Sequence, residues 1–448
     1  ALGDNGDDRC DAGEQLIFYA DVRPTRYAAG ASFWLSITSE PGPMIQTETP
    51  APAATRQESY LHSDRYENNR LYYSYIPLRD GAEHWYWDIL TPAISITRSY
   101  PFTVTEMAGV GDARLVLDLA GYDGAHTTQI TVNAQSAGLY AWSGRIAHTI
   151  EVDVPATWLH EGANTVRVTA LGPAPDLQYI DAFTVSYARR LVAQHDRLRF
   201  VAPHDRHVEI EGFSTPDVAI YALTNPDSPR RVAVSVTHPC PCRATFDTLA
   251  DDNTIYLALT NSQYTTSTVL AAAPTSDLVT PAAGADFLIL TPADLAPALA
   301  PLVAYRSAGG LRVRVVDIQS IYDEFGDGRT DPEAIQRFLN HTLRAWPSPA
   351  PAYVLLVGDG TYDPRGYLSA PRAEAVPAFL RLVDPIIGET ASDNRYVTAT
   401  PASQLPQMMI GRLPARTAAE ATVMVTKILA FEAARPSATW RQRAVIVA

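Results

Sequence analysis

The stretch that decides the fold class is Tyr353-Val354-Leu355-Leu356-Val357-Gly358-Asp359-Gly360-Thr361-Tyr362-Asp363-Pro364. It starts as a continuous apolar run and ends abruptly in a Gly-Asp-Gly turn. A strand that is apolar on both faces belongs to a parallel sheet covered by helices. In such sheets, binding and chemistry collect at the carboxyl ends of the strands. We therefore expect Asp359 and its neighbours either to carry chemistry or to support a site built beside them.

The same alternation of short apolar strands and helices continues on both sides of this stretch. Helices are predicted from Pro292, after Thr330 and over 418–433. Thr330 is the expected cap of the second helix, because Glu333 completes a capping box. Further strands are predicted at Phe287–Thr291, Leu311–Asp317, Gln407–Arg412 and Arg443–Ala448. Since strands that alternate with helices form βαβ units, residues 283–448 are predicted to be an α/β domain with a parallel sheet.

Upstream of that domain, alternating polar and apolar residues predict an all-β fold. Between residues 100 and 190, segments with a period of two recur at the spacing of β-sandwiches, with turn signals every ~8–12 residues. The turn at Leu159–Thr165 is of a kind common in jelly-roll modules. Earlier strands are predicted at Gln15–Tyr19 and Ala31–Ile37. Residues 14–190 are therefore predicted to be one jelly-roll-like β-sandwich.

The length of 448 residues predicts several domains. Besides the sandwich and the α/β domain, we expect an N-terminal segment over 1–13 and a small β domain with a linker over 191–282. Aromatic residues are concentrated at Leu71–Tyr75 and His84–Asp88. Such rows can stack on sugars, but burial in a sandwich core is their more common fate, and we favour the core.

Charge and hydropathy exclude some classes of partner. The formal net charge is -14, which makes nucleic acid and anionic membranes poor partners. No apolar run approaches the ~20 residues that cross a bilayer, so no membrane span is predicted. Residues 1–8 lack a basic region followed by an apolar one, and we interpret them as a mature N-terminus left after signal cleavage.

The chain has three cysteines, and two of them lie close together in sequence. Cys240 and Cys242 follow His238, a set that invites zinc binding. The set lacks a second half-site, however, and a proline separates the two cysteines. The favoured alternative is a pair of loop cysteines, and a bridge from one of them to Cys10 in an oxidising compartment stays open.

The order and spacing of several short elements in the C-terminal third resemble the gingipain-type cysteine peptidases. These elements are Asp286–Leu290, Gly309–Val313, Pro332–Phe338, Tyr353–Asp359, Ser392–Tyr396 and Ile410–Thr417. The resemblance implies a caspase-like α/β fold made of two subdomains, of which this chain holds the first. The upstream β domains look like the N-terminal region of larger bacterial members, some of which act as sortase-like enzymes in secretion.

The resemblance also implies where the catalytic residues lie. In that family a histidine in a His-Gly motif and a cysteine nucleophile belong to the second subdomain, downstream of the strand that matches 443–448. Residues 286–448 contain no cysteine and no His-Gly dipeptide. Because thiolate chemistry needs both a reactive sulfur and a base, no catalytic residue is assigned in this chain. We expect the polypeptide to continue past Ala448 and to supply the dyad there.

Three aspartates at the predicted sheet edge are candidate ligands of a structural calcium ion. Asp359, Asp363 and Asp393 offer carboxylate oxygens, which this hard cation prefers, and the family resemblance makes calcium plausible. The favoured alternative is that Asp359 belongs to a turn and Asp393 caps a loop, since their spacing matches no known calcium loop.

The sequence requires no cofactor. Asp323–Gly328 matches an EF-hand loop too poorly and is predicted to be a solvated turn.

Two functions fit these features. The first is the N-terminal portion of a secreted or cell-surface bacterial cysteine endopeptidase that acts on protein or peptide substrates and is completed by the C-terminal remainder of its own polypeptide. The second is a structural or adhesive surface protein whose sandwich binds a protein partner or glycan, with an inactive peptidase-like domain. A nucleotide-binding domain is disfavoured because the glycine fingerprint is missing.

Overall fold

The computed structural model describes residues 16–36, 44–266, 271–272, 275–368, 375–400, 403 and 405–434. The chain forms two compact units. The first contains residues 1–21 and 35–270, and the second contains residues 22–34 and 271–448. No helix in the described part of the chain has the length and apolar character needed to cross a membrane.

The first unit consists of strands in four sheets. The strands are β1 (Thr47–Glu48), β2 (Arg56–Gln57), β3 (Ser59–Glu67), β4 (Leu71–Tyr72), β5 (Trp85–Tyr86), β6 (Asp88–Leu90), β7 (Thr97–Val104), β8 (Ala113–Gly121), β9 (Ala125–Val132), β10 (Gln135–Ser143), β11 (Ala147–Val154), β12 (Gly162–Ala170), β13 (Gln178–Arg190), β14 (Arg197–Ala202), β15 (His207–Phe213), β16 (Val218–Ala222), β17 (Arg230–Val232), β18 (Ser235–Thr237), β19 (Cys242–Asp247) and β20 (Thr254–Thr260). β4 and β5 form a separate short ribbon.

The predicted β-sandwich is confirmed over residues 59–190. One antiparallel sheet has the order β10-β9-β12-β7, and the other has the order β11-β8-β13-β3, with β6 added beside β13. The chain changes sheet between most consecutive strands, as in a jelly roll. Alternate residues of these strands meet in one core that includes Leu117, Ile130 and Phe183. Trp85 is 3% exposed, and the Trp87 ring stacks on that of Phe183, so the aromatic segments are core material.

The second β domain is larger than the sequence predicted, because it recruits residues 47–57. Its sheets have the orders β1-β17-β16-β20-β14 and β18-β19-β15-β2. β1 pairs in parallel with β17 and β2 in parallel with β15. The predicted sandwich boundary at residue 14 is therefore wrong, and the sandwich starts at Ser59. Period-two patterns do not reveal which sheet a strand joins, since parallel pairing brings together residues far apart in sequence.

The strands predicted at Gln15–Tyr19 and Ala31–Ile37 are not found among their described residues. Burial does alternate over 16–19, and Tyr19 packs on the outer face of the sheet that holds Tyr221 and Leu257. An extended segment that lays every second side chain on an apolar face produces the strand pattern without pairing its backbone. Residues 32–36 are exposed.

The second unit is an α/β domain, as predicted. Its strands are β21 (Phe287–Thr291), β22 (Val313–Asp317), β23 (Tyr353–Val357), β24 (Leu380–Asp384), β25 (Gly388–Ala391) and β26 (Met409–Leu413). Its helices are α1 (Ala300–Ala308), α2 (Ile318–Phe325), α3 (Pro332–Ala345) and α4 (Ala418–Ala433). The sheet order is β22-β21-β23-β26 with every pair parallel, and β24-β25 is a separate antiparallel hairpin.

Helices cover both faces of the parallel sheet, which explains the continuous apolar run in β23. α2 and α3 contribute Ile321 and Phe338 to the core on one face. α1 and α4 contribute Leu302 and Val425 to the core on the other face. β23 is a central strand, paired with β21 and β26, so both of its faces are covered.

Several boundaries in this unit differ from the prediction. Asp331, not Thr330, caps α3, and its carboxylate accepts a hydrogen bond from the Glu333 amide at 2.9 Å. The turn predicted at Asp323–Gly328 is in part the end of α2, which the sequence analysis missed. The linker prediction also extended too far, because Leu278 is buried in the α/β core. The strand predicted at 443–448 lies outside the described residues.

The segment 22–34 was not expected to belong to the α/β unit. The Arg26 guanidinium forms an ion pair with the carboxylate of Glu389 on β25, whose side chain is fully buried. The Tyr27 hydroxyl donates to the Ala378 carbonyl at 2.9 Å. The Ser32 hydroxyl donates to the Gly328 carbonyl at 3.2 Å. Residues 22–34 therefore bind several loops of the α/β unit, although they lie far from the rest of that unit in sequence.

Candidate functional site

The carboxyl edge of the parallel sheet is where the sequence placed the candidate site. Beyond the ends of β23 and β26, the Gly358 amide bonds to the Leu413 carbonyl at 2.9 Å, and the Asp359 amide bonds to the Ala415 carbonyl at 3.0 Å. Gly358 has a φ of 151°, and a Cβ there would stand 2.7 Å from that of Ala375. Only glycine fits this position, because the backbone of Gly358 passes close to Ala375. This close approach explains the first glycine of the Gly-Asp-Gly turn.

Arg412 on β26 is the main organiser of this edge. Its Nε and Nη2 donate to the two carboxylate oxygens of Asp393, both at 2.8 Å. The remaining donors reach the carbonyls of Gly358 at 3.0 Å, Val376 at 2.9 Å and Pro377 at 3.1 Å. All five N–H groups of the guanidinium are therefore used.

The electrostatics of this clamp follow from its burial. The side chain of Arg412 is only 15% exposed. Burial alone opposes its charge, but the hydrogen bonds and negative charge of Asp393 raise the pKa of Arg412. Tyr396 is fully buried and donates its hydroxyl to the Pro377 carbonyl, and burial raises the pKa of this phenol well above its usual value. The edge is thus tied together by a permanent cation and a neutral phenol.

The three predicted calcium ligands each have a protein partner. Asp359 accepts from Nε of Arg416 at 2.6 Å. Asp363 accepts from the amides of Tyr367 and Leu368 at 2.8 and 2.9 Å, as a capping carboxylate does. Asp393 is held by Arg412. These contacts agree with the favoured interpretation of turn and cap, and calcium binding stays a prediction.

Nothing in the described part of the α/β unit supplies a nucleophile and a base together. Residues 286–448 contain no cysteine, and their one histidine is His341 on α3. Its Nε2 lies 2.8 Å from the carbonyl oxygen of Val279, and its ring packs against Phe325. The arrangement therefore supports the sheet edge and does not by itself perform thiol chemistry.

The described residues contain one group of three His, Cys, Asp or Glu side chains close enough to hold a single ion. It consists of His238, Cys240 and Cys242, whose ligand atoms lie within 4.8 Å of one another. The two cysteines are bonded as a disulfide. Neither therefore forms the bridge to Cys10 that the sequence left open, and Cys10 itself lies outside the described residues. Zinc binding needs thiolates, which this oxidised state does not offer.

The sandwich carries a separate group of charged side chains that the sequence analysis missed. Arg65 on β3 contacts Glu67 at 2.9 Å, Asp118 at 2.6 Å and Asp181 at 3.4 Å. Burial, followed by the charge of Glu67, raises the pKa of Asp181 from 3.8 to about 7, although Arg65 opposes the shift. One buried oxygen of Asp181 has no hydrogen-bond partner. A register irregularity between Ile180 and Ala182 places this carboxylate, and the sequence gives no sign of it.

Comparison with known families identifies the α/β part. Residues 280–448 match the family model described as peptidase family C25. This part of the chain, which is less than half of its length, is similar to peptidase family C25. The gingipain-type resemblance of the sequence is thereby confirmed for the same region. The matched segment includes all four strands of the parallel sheet that the structure describes, and the organising residues Arg412 and Tyr396 lie inside it.

Solved structures extend the comparison to the β domains. The crystal structure of dimeric latent PorU from Porphyromonas gingivalis aligns with 90% of this chain at a TM-score of 0.66 and 18% identity. At that identity the likeness shows the fold alone. The alignment covers 40% of the PorU chain, so this chain spans less than half of its length.

A carbohydrate-binding module also matches part of the chain. The CBM36-1 domain of a xylanase from the hindgut metagenome of Trinervitermes trinervoides covers 28% of this chain and 96% of its own, at 11% identity and a TM-score of 0.20. That score is too low to support any argument about function. No curated protein sequence matched the chain.

Proposed function

We propose that this chain is the N-terminal portion of a gingipain-like cysteine endopeptidase that acts on proteins or peptides outside the bacterial cytoplasm. The observation that carries the proposal is the family C25 match over the unit that holds the four described parallel strands. The catalytic cysteine and histidine are supplied by residues after Ala448. The role of the unit in this chain is to hold the carboxyl edge against which the second subdomain completes the site.

Two features of the chain support this assignment of roles to the chain and to the residues downstream of it. The clamp of Arg412 fixes the loop after β23 and the segment that leads into β24, and a caspase-like site needs such loops to be rigid if it is to position substrate. The disulfide between Cys240 and Cys242 fits an oxidising compartment, as expected of a secreted or surface protein.

The test is to label the active-site cysteine in the natural polypeptide. The coding sequence that follows codon 448 is read, the polypeptide is produced, and it is treated with a peptidyl chloromethyl ketone and mapped by mass spectrometry. We expect one labelled cysteine downstream of Ala448, protected by excess peptide substrate. A continuation without a cysteine, or a polypeptide that takes no label while remaining folded, contradicts the proposal.

The second candidate is a surface protein that binds a protein partner or glycan and has lost its peptidase activity. The glycan-binding version of this function has less support than expected from Trp85 and Trp87. Trp85 is only 3% exposed, and Trp87 packs against the sandwich core. The labelling experiment separates the two functions, since the binding protein predicts a family fold without a reactive downstream cysteine.

A further inference from the structure

The turn between β18 and β19 contains the disulfide. These strands already pair through Ser235 with Thr245, Val236 with Ala244 and Thr237 with Arg243. Cys240 lies in the turn, and Cys242 is the first residue of β19. The disulfide therefore joins the turn to the first residue of β19 and does not join one strand to another.

A disulfide in this position contributes little to the stability of the fold. The stabilisation from a disulfide grows with the length of the loop that it closes, and here one residue separates the two cysteines. Cys242 is also held independently of the bond. It is 0% exposed, belongs to the core of the second β domain and stands opposite Phe213 in the sheet. We therefore expect the hairpin to keep its structure when the bond is reduced.

The surroundings of the bond suit chemistry with an external thiol. Cys240 lies at the surface of the turn, whereas Cys242 is buried, so a thiol approaching from solvent meets one sulfur and not the other. His238 is exposed, and its imidazole lies within 4.8 Å of both sulfur atoms. A cationic imidazole at that range favours a thiolate leaving group. Exposed disulfides are the labile ones in folded proteins.

We propose that Cys240 and Cys242 form a reversible thiol–disulfide exchange site whose reaction partner is an external dithiol. A thiolate of the dithiol attacks Sγ of Cys240 and forms a mixed disulfide. The bond to Cys242 breaks, its electron pair stays on Sγ of Cys242, and His238 supplies the proton. The second thiol of the dithiol then attacks the mixed disulfide and releases Cys240, which is protonated by solvent. In total the dithiol becomes a disulfide, and the chain gains two electrons and two protons.

This site is separate from the α/β unit and does not depend on the peptidase proposal. The first test uses the 448-residue chain with Cys10→Ser, so that Cys240 and Cys242 are the only cysteines. The protein is equilibrated with mixtures of reduced and oxidised dithiothreitol in the presence of a chelator. Exchange is then stopped with acid, the free thiols are alkylated, and mass spectrometry gives the fraction of reduced protein. Circular dichroism of parallel samples reports whether the protein stays folded.

We expect a reversible two-electron transition in the folded protein, with Tm lowered by no more than about 2 °C because the closed loop is so short. A bond that is reduced only as the circular dichroism signal is lost overturns the proposal. A large fall in Tm on reduction does so as well, since it would show a structural cross-link.

The second test examines the two roles given to single residues. Glutathione is used as a monothiol, and the trapped mixed disulfide is located by peptide mapping of the unreplaced Cys240–Cys242 pair. We expect it on Cys240, and a mixed disulfide on Cys242 contradicts the order of attack. His238→Gln should slow reduction by about threefold to tenfold. The matched control is His160→Gln, an exposed histidine of the sandwich, which should leave the rate unchanged. Equal rates in the two variants contradict the role of His238.

Discussion

At the scale of single residues, two arginines at the carboxyl edge make ion pairs of very different burial. The side chain of Arg412 is 15% exposed and that of Arg416 is 54% exposed. Arg412→Gln removes the cation from Asp393 and donors from three carbonyls. We expect it to lower the free energy of unfolding of the α/β unit by about 3 kcal/mol, as breaking a buried ion pair does. The change is measured by urea unfolding in which hydrogen exchange of the backbone amides of residues 353–357 is the readout.

The matched control is Arg416→Gln at the same edge. Its pair with Asp359 is exposed to solvent, where ion pairs contribute little, and we expect no measurable change in stability. If both variants behave alike, burial does not distinguish the two pairs, and the assignment of Arg412 as the organiser of the edge is wrong.

Asp181 in the sandwich predicts a dependence of stability on pH. The pKa of Asp181 is higher in the folded state than in the unfolded state, so the folded state holds its proton more tightly. This contribution to the free energy of unfolding is complete below the unfolded-state pKa near 3.8, and it is lost as pH rises through the folded-state pKa of about 7. Asp181→Asn should therefore stabilise the sandwich at pH 8, by at most about 4 kcal/mol, and by progressively less as pH falls towards 4.

Thermal unfolding of the wild type and Asp181→Asn at pH 5 and pH 8 tests this sign. Asp153→Asn, at an exposed position of β11, is the control and should show no such difference between the two pH values. An Asp181→Asn variant that is less stable than the wild type at pH 8 would mean that the contact with Arg65 outweighs the burial.

Sequence patterns located some of these residues but not their partners. Asp359 was expected at the carboxyl edge because it follows a buried strand, and it lies there. Arg412 lies at the end of a predicted strand, but nothing in the sequence marked it as an organiser, and the carbonyls that it holds come from residues 35 to 54 positions away. Asp181 is placed by a register irregularity, which period-two alternation does not show.

At the scale of elements, the segment 22–34 is the part of the α/β unit that most needs a test. Arg26 and Glu389 are 363 residues apart in sequence. Arg26→Ala removes the cation from a buried carboxylate on β25, which we expect to cost about 2–3 kcal/mol locally. Hydrogen exchange should therefore speed up in 380–391 and stay unchanged in β21.

The control for this prediction is the double variant Arg26→Met and Glu389→Met. Replacing a buried ion pair by apolar side chains of similar size is often close to neutral, so protection of 380–391 should largely return. Unchanged exchange in Arg26→Ala would show that the segment does not fasten the β24-β25 hairpin.

The elements with strong local signals were predicted well, and those fixed by tertiary contacts were not. α3 and α4 both have N-terminal caps, α3 has a clear apolar face as well, and both helices were expected. α2 was missed, although Asp317 caps it, because its eight residues follow a strand without a turn signal. The β24-β25 hairpin is short and its burial is irregular, so its pattern gave no prediction.

At the scale of the whole molecule, sequence order and spatial order diverge. Residues 47–57 precede the sandwich in sequence but pair with strands that follow it, and residues 22–34 join a unit whose main part begins at 271. Composition and periodicity gave the class of each unit, because burial dictates both. They did not give the membership of these early segments, because that depends on contacts between residues hundreds of positions apart.

The central proposal is that this chain carries the supporting part of a gingipain-like peptidase and that its catalytic residues lie downstream. The most direct measurement compares peptide hydrolysis by residues 1–448 with hydrolysis by the polypeptide extended through its own downstream coding sequence. We predict no hydrolysis by residues 1–448, and hydrolysis by the extended polypeptide that iodoacetamide abolishes. Hydrolysis by residues 1–448 alone, or hydrolysis by the extended polypeptide that survives thiol alkylation, would contradict the proposal.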